Sequence, residues 1–406
     1  MTQSGDGDLF GDVLGESIER VEAHIVGNAY RGYDPYDALT SRPFRATPLR
    51  ASRAARLAFQ QALKRLPVNM RPLLGIRKGY NPVTVAFALE AAAYLAQSDR
   101  ERVDMYRTRA IELVGELERL RSHGSGACWG YDFDWESRFG GFVPAGTPTI
   151  VATGFVANAL FVAHRNLDLP DAAALCVSAA EFALEDLPRH EGPDGTFCWG
   201  YYPGDQQRVL NATMKGVRLC AQAFAITGDR SMVAVAAATA AYVAAHQQRD
   251  GSWPYAVGDP RTFVDNFHTA YVLDAFHEYE KHTKEEGFRR VTDAGWRFYR
   301  RTFFANDQIP RYYSTRLHPI DATSCAQSLL TLCRFGDVET ASRVAAWTIE
   351  NMQYADGHFA YQQRRWLRVG IPYMRWASAY MYLGLARLAL ALRVRASHDQ
   401  RSAEKS

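Results

Sequence analysis

The 406-residue chain has no run of the ~20 consecutive apolar residues that a bilayer span requires; "YMYLGLARLALAL" near the end falls short. Its start, "MTQSGDGDLFG", lacks a basic segment followed by an apolar one, so a soluble, cytoplasmic chain is expected. No CxxC pair occurs among Cys128, Cys176, Cys198, Cys220, Cys325 and Cys333, which sit mostly in apolar helical contexts. That favours free thiols over disulfides and speaks against a thiolate metal centre. A net charge of +3 makes no case for nucleic acid. Acidic residues are also missing between Arg42 and Lys78, where ten Lys or Arg residues interleave with Leu57, Phe59, Leu63, Leu66, Leu73 and Leu74. Such a segment is either a solvated basic face or a surface for an anionic leaflet or polyanionic glycan. The second reading predicts peripheral contact of 42–78 with the inner membrane.

What the chain does have is a recurring turn that joins glycine to aromatics: "SGACWGY", "PDGTFCWGYY", "DGSWPY" and "DGHFAY", with a weaker "NDQIPRYY" between the last two. The spacing of roughly 50 to 70 residues suits two helices and two connections. The segments after these turns, such as "TIVATGFVANALFVAH" and "VDNFHTAYVLDAFHEY", carry apolar and small residues at helical spacing. With "NPVTVAFALEAAAYLA" they number six, and more polar helical segments alternate with them. Two concentric rings are implied, an all-α (α/α)6 toroid over 76–392 with the apolar helices inside. Residues 1–75 are expected as a basic helical arm and 393–406 as a disordered tail. An open solenoid is the alternative, and its turns rarely need Trp.

In such a toroid the inner helices begin on one face, where their N-termini surround a funnel rimmed by the aromatic turns. Polar residues in the turns, or in the first turn of each inner helix, are therefore the site candidates. Tyr131, Asp134, Glu136, Tyr201, Asp265 and His268 are the expected catalytic set. Substrate contacts are expected from Trp129, Asp132, Arg138, Trp199, Asn211, Trp253 and Asn266, and from Arg311, Tyr312, Asp321, Tyr373, Arg375 and Trp376. Aromatic faces stack on the C–H faces of sugar rings while carboxylates, amides and guanidinium groups hold hydroxyls and uronate carboxylates. The same indoles could instead plug the barrel end. In "YDFDWESRFG" a period of two places Asp132, Asp134 and Glu136 on one face and Phe133 and Trp135 on the other. That loop supplies either a general acid or base, or a salt-bridging cap with Arg138 as partner. Asp265 and His268 share a helix face, and Asp265, like Asp321, is positioned to cap its helix. No metal or other cofactor is called for.

Four resemblances bear on these readings. "QQRDGSW" resembles the Q-x(3)-G-x-W repeat of triterpene cyclases, which implies a tie between an outer helix and the next turn; the D-x-D-D acid motif of those enzymes is absent. The paired CWGY turns resemble those of lanthionine cyclases, but the Cys-His-Gly element that would complete a zinc site is missing. "RGYDPYDAL", "VNMRPLLGIRKGYNP", "CWGYDFDW", "GTPTIVAT" and "DGSWPYAVGD…FVDNFHTAYVLDA" are similar to proteins of bacterial surface-polysaccharide biosynthesis and archaeal N-glycan assembly. "VDNFHTAYVLDAF" also resembles a helix in the C-terminal toroid of glucuronyl C5-epimerases, where tyrosines and a carboxylate handle the C5 proton.

The last two resemblances imply an acidic, uronate-containing glycan, free or lipid-linked, as substrate. Epimerisation would use His268 with Tyr131 or Tyr201, and Arg311 or Arg375 on the uronate carboxylate. Glycoside hydrolysis would set Asp134 or Glu136 opposite Asp265 or Asp321. A non-catalytic glycan-binding protein and a terpene cyclase-like enzyme complete the alternatives.

Overall fold

In the computed structural model, which describes residues 3–258 and 260–403, the chain begins with α1 (Gln3–Gly27), α2 (Arg42–Arg45) and α3 (Arg53–Arg65). Helical pairs follow: α4 (Pro82–Ser98) with α5 (Val103–Arg119), α6 (Ile150–Leu167) with α7 (Pro170–Glu185), and α8 (Leu210–Thr227) with α9 (Ser231–Ala245). Next come α10 (Asn266–Thr283) with α11 (Arg289–Thr302), α12 (Ala322–Arg334) with α13 (Val338–Met352), and finally α14 (Ala379–Ala403). The even-numbered helices α4 to α14 pack each on the next, and α14 returns to α4, closing an inner ring. The expected (α/α)6 toroid is the fold observed.

Inner helices are buried almost all round; α4, "PVTVAFALEAAAYLAQS", is apolar on nearly every face, while α8 and α10 also bury charged residues such as Lys215, Arg218, Asp274 and Glu278. Outer helices such as α5 bury one stripe, Tyr106, Ala110, Leu113, Val114 and Leu117, and leave the rest polar. Helix α6 is, among the described residues, the one helix long and apolar enough to cross a membrane. Here it is an inner helix of the ring, with 78% of it buried.

The shared orientation of the inner helices has a backbone cause. The first N–H of four of them donates to the carbonyl of an aromatic residue in the following turn: Ile150 to Tyr201, Leu210 to Tyr255, Asn266 to Tyr312, and Ala322 to Tyr361. The series closes when Met374 donates to Tyr33. These inner N-termini are thereby stitched to the neighbouring turns, which satisfies donors that a helix start leaves open, whereas α4 begins with Pro82, which has no N–H to place. Side-chain caps add to this at Asn81, Thr149, Asp265 and Asp321. The Q-x(3)-G-x-W reading holds as architecture: the Gln247 amide donates to the carbonyls of Gly251 (3.1 Å) and Val291 (2.9 Å), tying the end of α9 to its turn and to α11.

The ends of the chain differ from expectation. Helix α1 is not part of a separate arm but the outer helix of the last repeat, packed on α13 and α14. Its apolar residues Leu14, Ile18, Val21 and Ile25 have no other way to leave water. Residues 28–80 then cross the mouth of the toroid. Arg71 is fully buried there, its Nε 2.7 Å from Asp37 and its guanidinium 4.7 Å from the Tyr373 ring centre. Residues 393–403, expected as disordered, continue α14 in helical form, exposed from Val394 to Ser402; residues 404–406 lie outside the described part.

Candidate functional site

Each aromatic turn splits its two rings between two tasks. In Trp129-Gly130-Tyr131, Trp199-Gly200-Tyr201 and Trp253-Pro254-Tyr255 the chain is extended, so alternate side chains point opposite ways. The tryptophans turn back into the ring and are buried. Trp129 donates its indole N–H to the Leu117 carbonyl (2.7 Å), and Trp253 to Val243 (3.0 Å), each locking an outer helix end. A threonine in the next inner helix accepts the backbone N–H of the first two: Thr153 for Trp129 (3.1 Å) and Thr213 for Trp199 (2.9 Å). Trp129, Trp199 and Trp253, expected on substrate, are therefore plugs. The tyrosines two residues on reach the funnel.

The funnel holds a cavity of about 300 Å³. Of the expected residues it gathers Tyr131, Glu136, Arg138, Tyr201, Asn211, His268, Tyr312, Arg375 and Trp376. Its floor is aromatic: Phe155 from α6 packs against Tyr271 from α10 (5.4 Å between ring centres) and Tyr380 from α14 (6.0 Å), with Phe87 of α4 beneath. The Lys215 ammonium lies 3.8 Å from the Phe155 ring centre and 3.6 Å from that of Tyr271. Burial and the nearby Arg218 hold its pKa well below the usual lysine range.

One wall carries an acid–base pair. Asp265 accepts the backbone N–H of His268 (3.0 Å) as N-cap of α10, and its other oxygen lies 2.7 Å from His268 Nδ1. The side chain of Asp265 has no exposure, so the imidazole stands between it and the cavity. With Nδ1–H donated to the carboxylate, Nε2 is the nitrogen left with a free lone pair. Two turns away Tyr131 and Tyr201 line the same cavity, near enough for each phenol to bear on the other's pKa. Burial raises both phenol pKa values, that of Tyr201 far above the usual tyrosine range, so both stay protonated as donors. The Arg375 guanidinium lies 4.8 Å from the Tyr131 ring centre and 5.1 Å from that of Trp376, anchored by Nε to Asp34 at 2.7 Å. Arg375 and Trp376 occupy a π-helical turn, Met374–Ser378, that leads into α14.

The acidic loop behaves differently from the expected reactive one. The alternation of 131–136 is present, but Tyr131, Phe133 and Trp135 face the cavity while Asp132 and Asp134 do not line it. Asp134 pairs with Arg45 (2.6 Å) and accepts the Ala145 N–H (2.8 Å). Glu136 reaches the cavity wall but its side chain is fully buried between Arg56 (2.6 Å) and Arg53 (3.3 Å), and Gln60 bonds its backbone on both sides. The cap partner is thus the 42–78 segment, not Arg138. Asp132 is hydrogen-bonded by Asn81 (2.6 Å) in a neighbouring cavity, and burial raises its pKa.

Other expected contacts are structural. Asn266 is buried against Tyr299 (2.9 Å) and Ser328 (3.2 Å), and Tyr373 is buried under Arg71. Arg311 lies off the cavity. Asp321 sits behind Trp376, whose indole donates to it (3.1 Å), and also takes bonds from Gln362 (2.8 Å) and the Thr323 N–H (2.9 Å). Burial nonetheless pushes its pKa up to about 6. No two unpaired carboxylates face each other across the cavity among the described residues.

Sequence reasoning missed the wall supplied by Tyr36, Leu57, Gln60 and Gln61, because nothing local shows that residues 28–80 fold over the funnel. Tyr255 and Tyr271 were within reach of it: the first ends the "DGSWPY" turn, and the second lies three residues after His268. Metal-ligand residue types gather at His24, Asp356 and His358, away from this cavity; there His358 Nε2 lies 3.1 Å from the Gly370 carbonyl and Nδ1 2.5 Å from Asp356.

No protein-family model and no curated protein matches the sequence. Solved structures do match in fold. The unsaturated glucuronyl hydrolase of Bacillus sp. GL1 superposes with a TM-score of 0.59 at 13% identity, covering 93% of this chain and 96% of that one. A cellobiose 2-epimerase from Bacillus thermoamylovorans gives 0.58 at 10% identity, and a GH76 alpha-mannanase from Bacteroides thetaiotaomicron 0.57 at 11%. Each of these two covers 78% of this chain and 88% of its own. At such identities the likeness establishes the class of fold, the (α/α)6 toroid.

Proposed function

We propose that the protein is a carbohydrate-modifying enzyme that moves a proton on a sugar ring, and that its substrate is a uronate-containing glycan epimerised at C5. The observation that carries this is the His268–Asp265 pair opening onto an aromatic cavity that Tyr131, Tyr201 and Arg375 also line. His268 Nε2 removes the proton α to the uronate carboxylate, and Asp265 stabilises the imidazolium that forms. Arg375 binds the carboxylate and so favours the negative charge that develops on it. The Tyr131–Tyr201 pair returns a proton to the opposite face. Trp135 and Trp376 supply faces for the ring. Toroids of the same fold that act on sugars, among them epimerases, an isomerase and a glucuronyl hydrolase, support the substrate class. Hydrolysis by paired carboxylates is less well supported, because Asp134 and Glu136 are held by arginines and Asp321 lies behind Trp376.

The test is incubation with uronate-containing oligosaccharides in deuterated water, followed by NMR and mass spectrometry. Deuterium should enter C5 without chain cleavage. Cleavage without exchange would overturn the reading in favour of hydrolysis, and binding with neither would leave a glycan-binding protein.

A further inference from the structure

A second cavity, of about 280 Å³, lies back to back with the first, and Phe133 and Arg375 belong to the walls of both. Its character is different. Where the first is aromatic, this one is bordered by the cations Arg42, Arg45, Arg77 and Lys78. Its acids are already committed: Asp34 to Arg375 (2.7 Å), Asp37 to the buried Arg71 (2.7 Å), and Asp132 to the Asn81 amide (2.6 Å). Burial also raises the pKa of Asp132, and that of Asp37 to about 7, which reduces the negative charge they carry near neutrality. Among the cations, Arg45 is shared with Asp134 and Lys78 with the Asn28 side chain. No hydrogen bond or ion pair engages the side chains of Arg42 and Arg77 among the described residues. The N-terminus of the 17-residue α4 reaches the same cavity through Asn81 and Thr84 and adds the positive end of its dipole. Glycines keep the walls bare; a Cβ on Gly79 would fall 1.9 Å from an oxygen of Asp132.

We infer that this cavity is an anion subsite for the phosphate or diphosphate group of a glycosyl phosphate ester, with the attached sugar reaching across the Phe133–Arg375 wall into the aromatic cavity. Two exposed guanidinium groups with no internal partner among the described residues, beside a helix start, are suited to a tetrahedral, multiply charged oxyanion, which they can grip by paired N–H donors. A single uronate carboxylate would leave part of this charge unanswered. The diphosphate could belong to a nucleoside-diphosphate sugar or to a lipid-diphosphate sugar; the shared chemistry is the same. That the cavity binds diphosphate stands on its own geometry, whereas its service to the same substrate rests on the function proposed above.

The experiment is calorimetric titration of the full chain with inorganic diphosphate at low salt. Arg42→Gln combined with Arg77→Gln should weaken binding about tenfold or more, while Arg365→Gln, an equally exposed cation elsewhere, should leave it unchanged. Both substituted arginines are exposed, and matching thermal melts would confirm that the fold is retained. No saturable diphosphate binding, or equal weakening by Arg365→Gln, would overturn the subsite. A second arm compares a nucleoside-diphosphate uronate with a short-chain lipid-diphosphate uronate; the source in use should bind more tightly than diphosphate alone, and more so in the wild type than in the double variant. If diphosphate binds as expected but neither conjugate gains affinity, the link between the two cavities fails. Absence of deuterium exchange with intact diphosphate binding would sink the proposed reaction and leave the subsite standing.

Discussion

Two acid-bearing stretches flank the funnel, 132–136 and 265–268, and they have opposite fates. The first carries three carboxylates, two of them paired with arginines of the 42–78 segment at 2.6 Å. The second carries one carboxylate, committed to its own helix and to a histidine that opens onto the cavity. The richer cluster is a clamp, and the sparser one leaves a histidine facing the cavity. Reactivity follows from what lies opposite a carboxylate in space, and for Glu136 that partner is 80 residues away in sequence.

The largest effect should come from the sparse site. His268→Gln keeps a polar side chain of similar reach but cannot take a proton, so turnover should fall roughly 10²- to 10⁴-fold. Deuterium incorporation at C5 is the readout, with a circular-dichroism melt to show that the fold survives. Retained exchange would break the comparison, because the dyad would then be merely a cap.

Next comes the clamp. Glu136→Gln leaves Arg56, which is largely buried, facing a neutral amide, and the expected loss of stability is about 3 kcal/mol. A urea unfolding curve measures it; a loss under about 1 kcal/mol would mean that residues 42–78 are held over the funnel by other contacts.

The toroid itself was legible because its signals are local and repeated. Six apolar helices and a Gly-aromatic turn can be counted along the chain, and the Gln247 tie is contained within seven residues. The site was half legible. His268, Tyr131 and Tyr201 follow from their place after a turn, and Arg375 and Trp376 from theirs before the last inner helix. What could not be read was the division of labour within each turn. Trp129 and Tyr131 are equally aromatic, and only the position of the Leu117 carbonyl decides which of them turns inward. Nor does the absence of acids between Arg42 and Lys78 reveal that four of those arginines have their acids elsewhere, Arg45 at Asp134, Arg53 and Arg56 at Glu136, and Arg71 at Asp37.

Between clamp and dyad stands Asp321, which caps α12 as Asp265 caps α10 but meets an indole and an amide instead of a histidine. Its pKa in the fold is about 6, raised by burial above an ordinary aspartate. A raised carboxyl pKa favours the folded state fully below the unfolded pKa, and that contribution fades as pH rises through 6. Relative to Asp321→Asn, which does not titrate, the wild type should gain about 2 kcal/mol of stability between pH 8 and pH 4. Paired melts across that range check this, and parallel curves would show that the three hydrogen bonds offset the burial.

The smallest effect is expected at Asp134, where the clamp is wettest. Its carboxylate and Arg45 retain 22% and 49% side-chain exposure, so solvent screens the pair, and Asp134→Asn should cost less than about 1 kcal/mol. The variant has a second readout because Arg45 also borders the basic cavity. Freed from its carboxylate, that guanidinium should bind inorganic diphosphate about two- to threefold more tightly at low salt, the gain shrinking as salt rises. Unchanged affinity would separate the clamp from the subsite and leave Arg42, Arg77 and Lys78 as its cationic wall. Tighter binding would show that the acidic loop sets the strength with which the neighbouring cavity holds its anion.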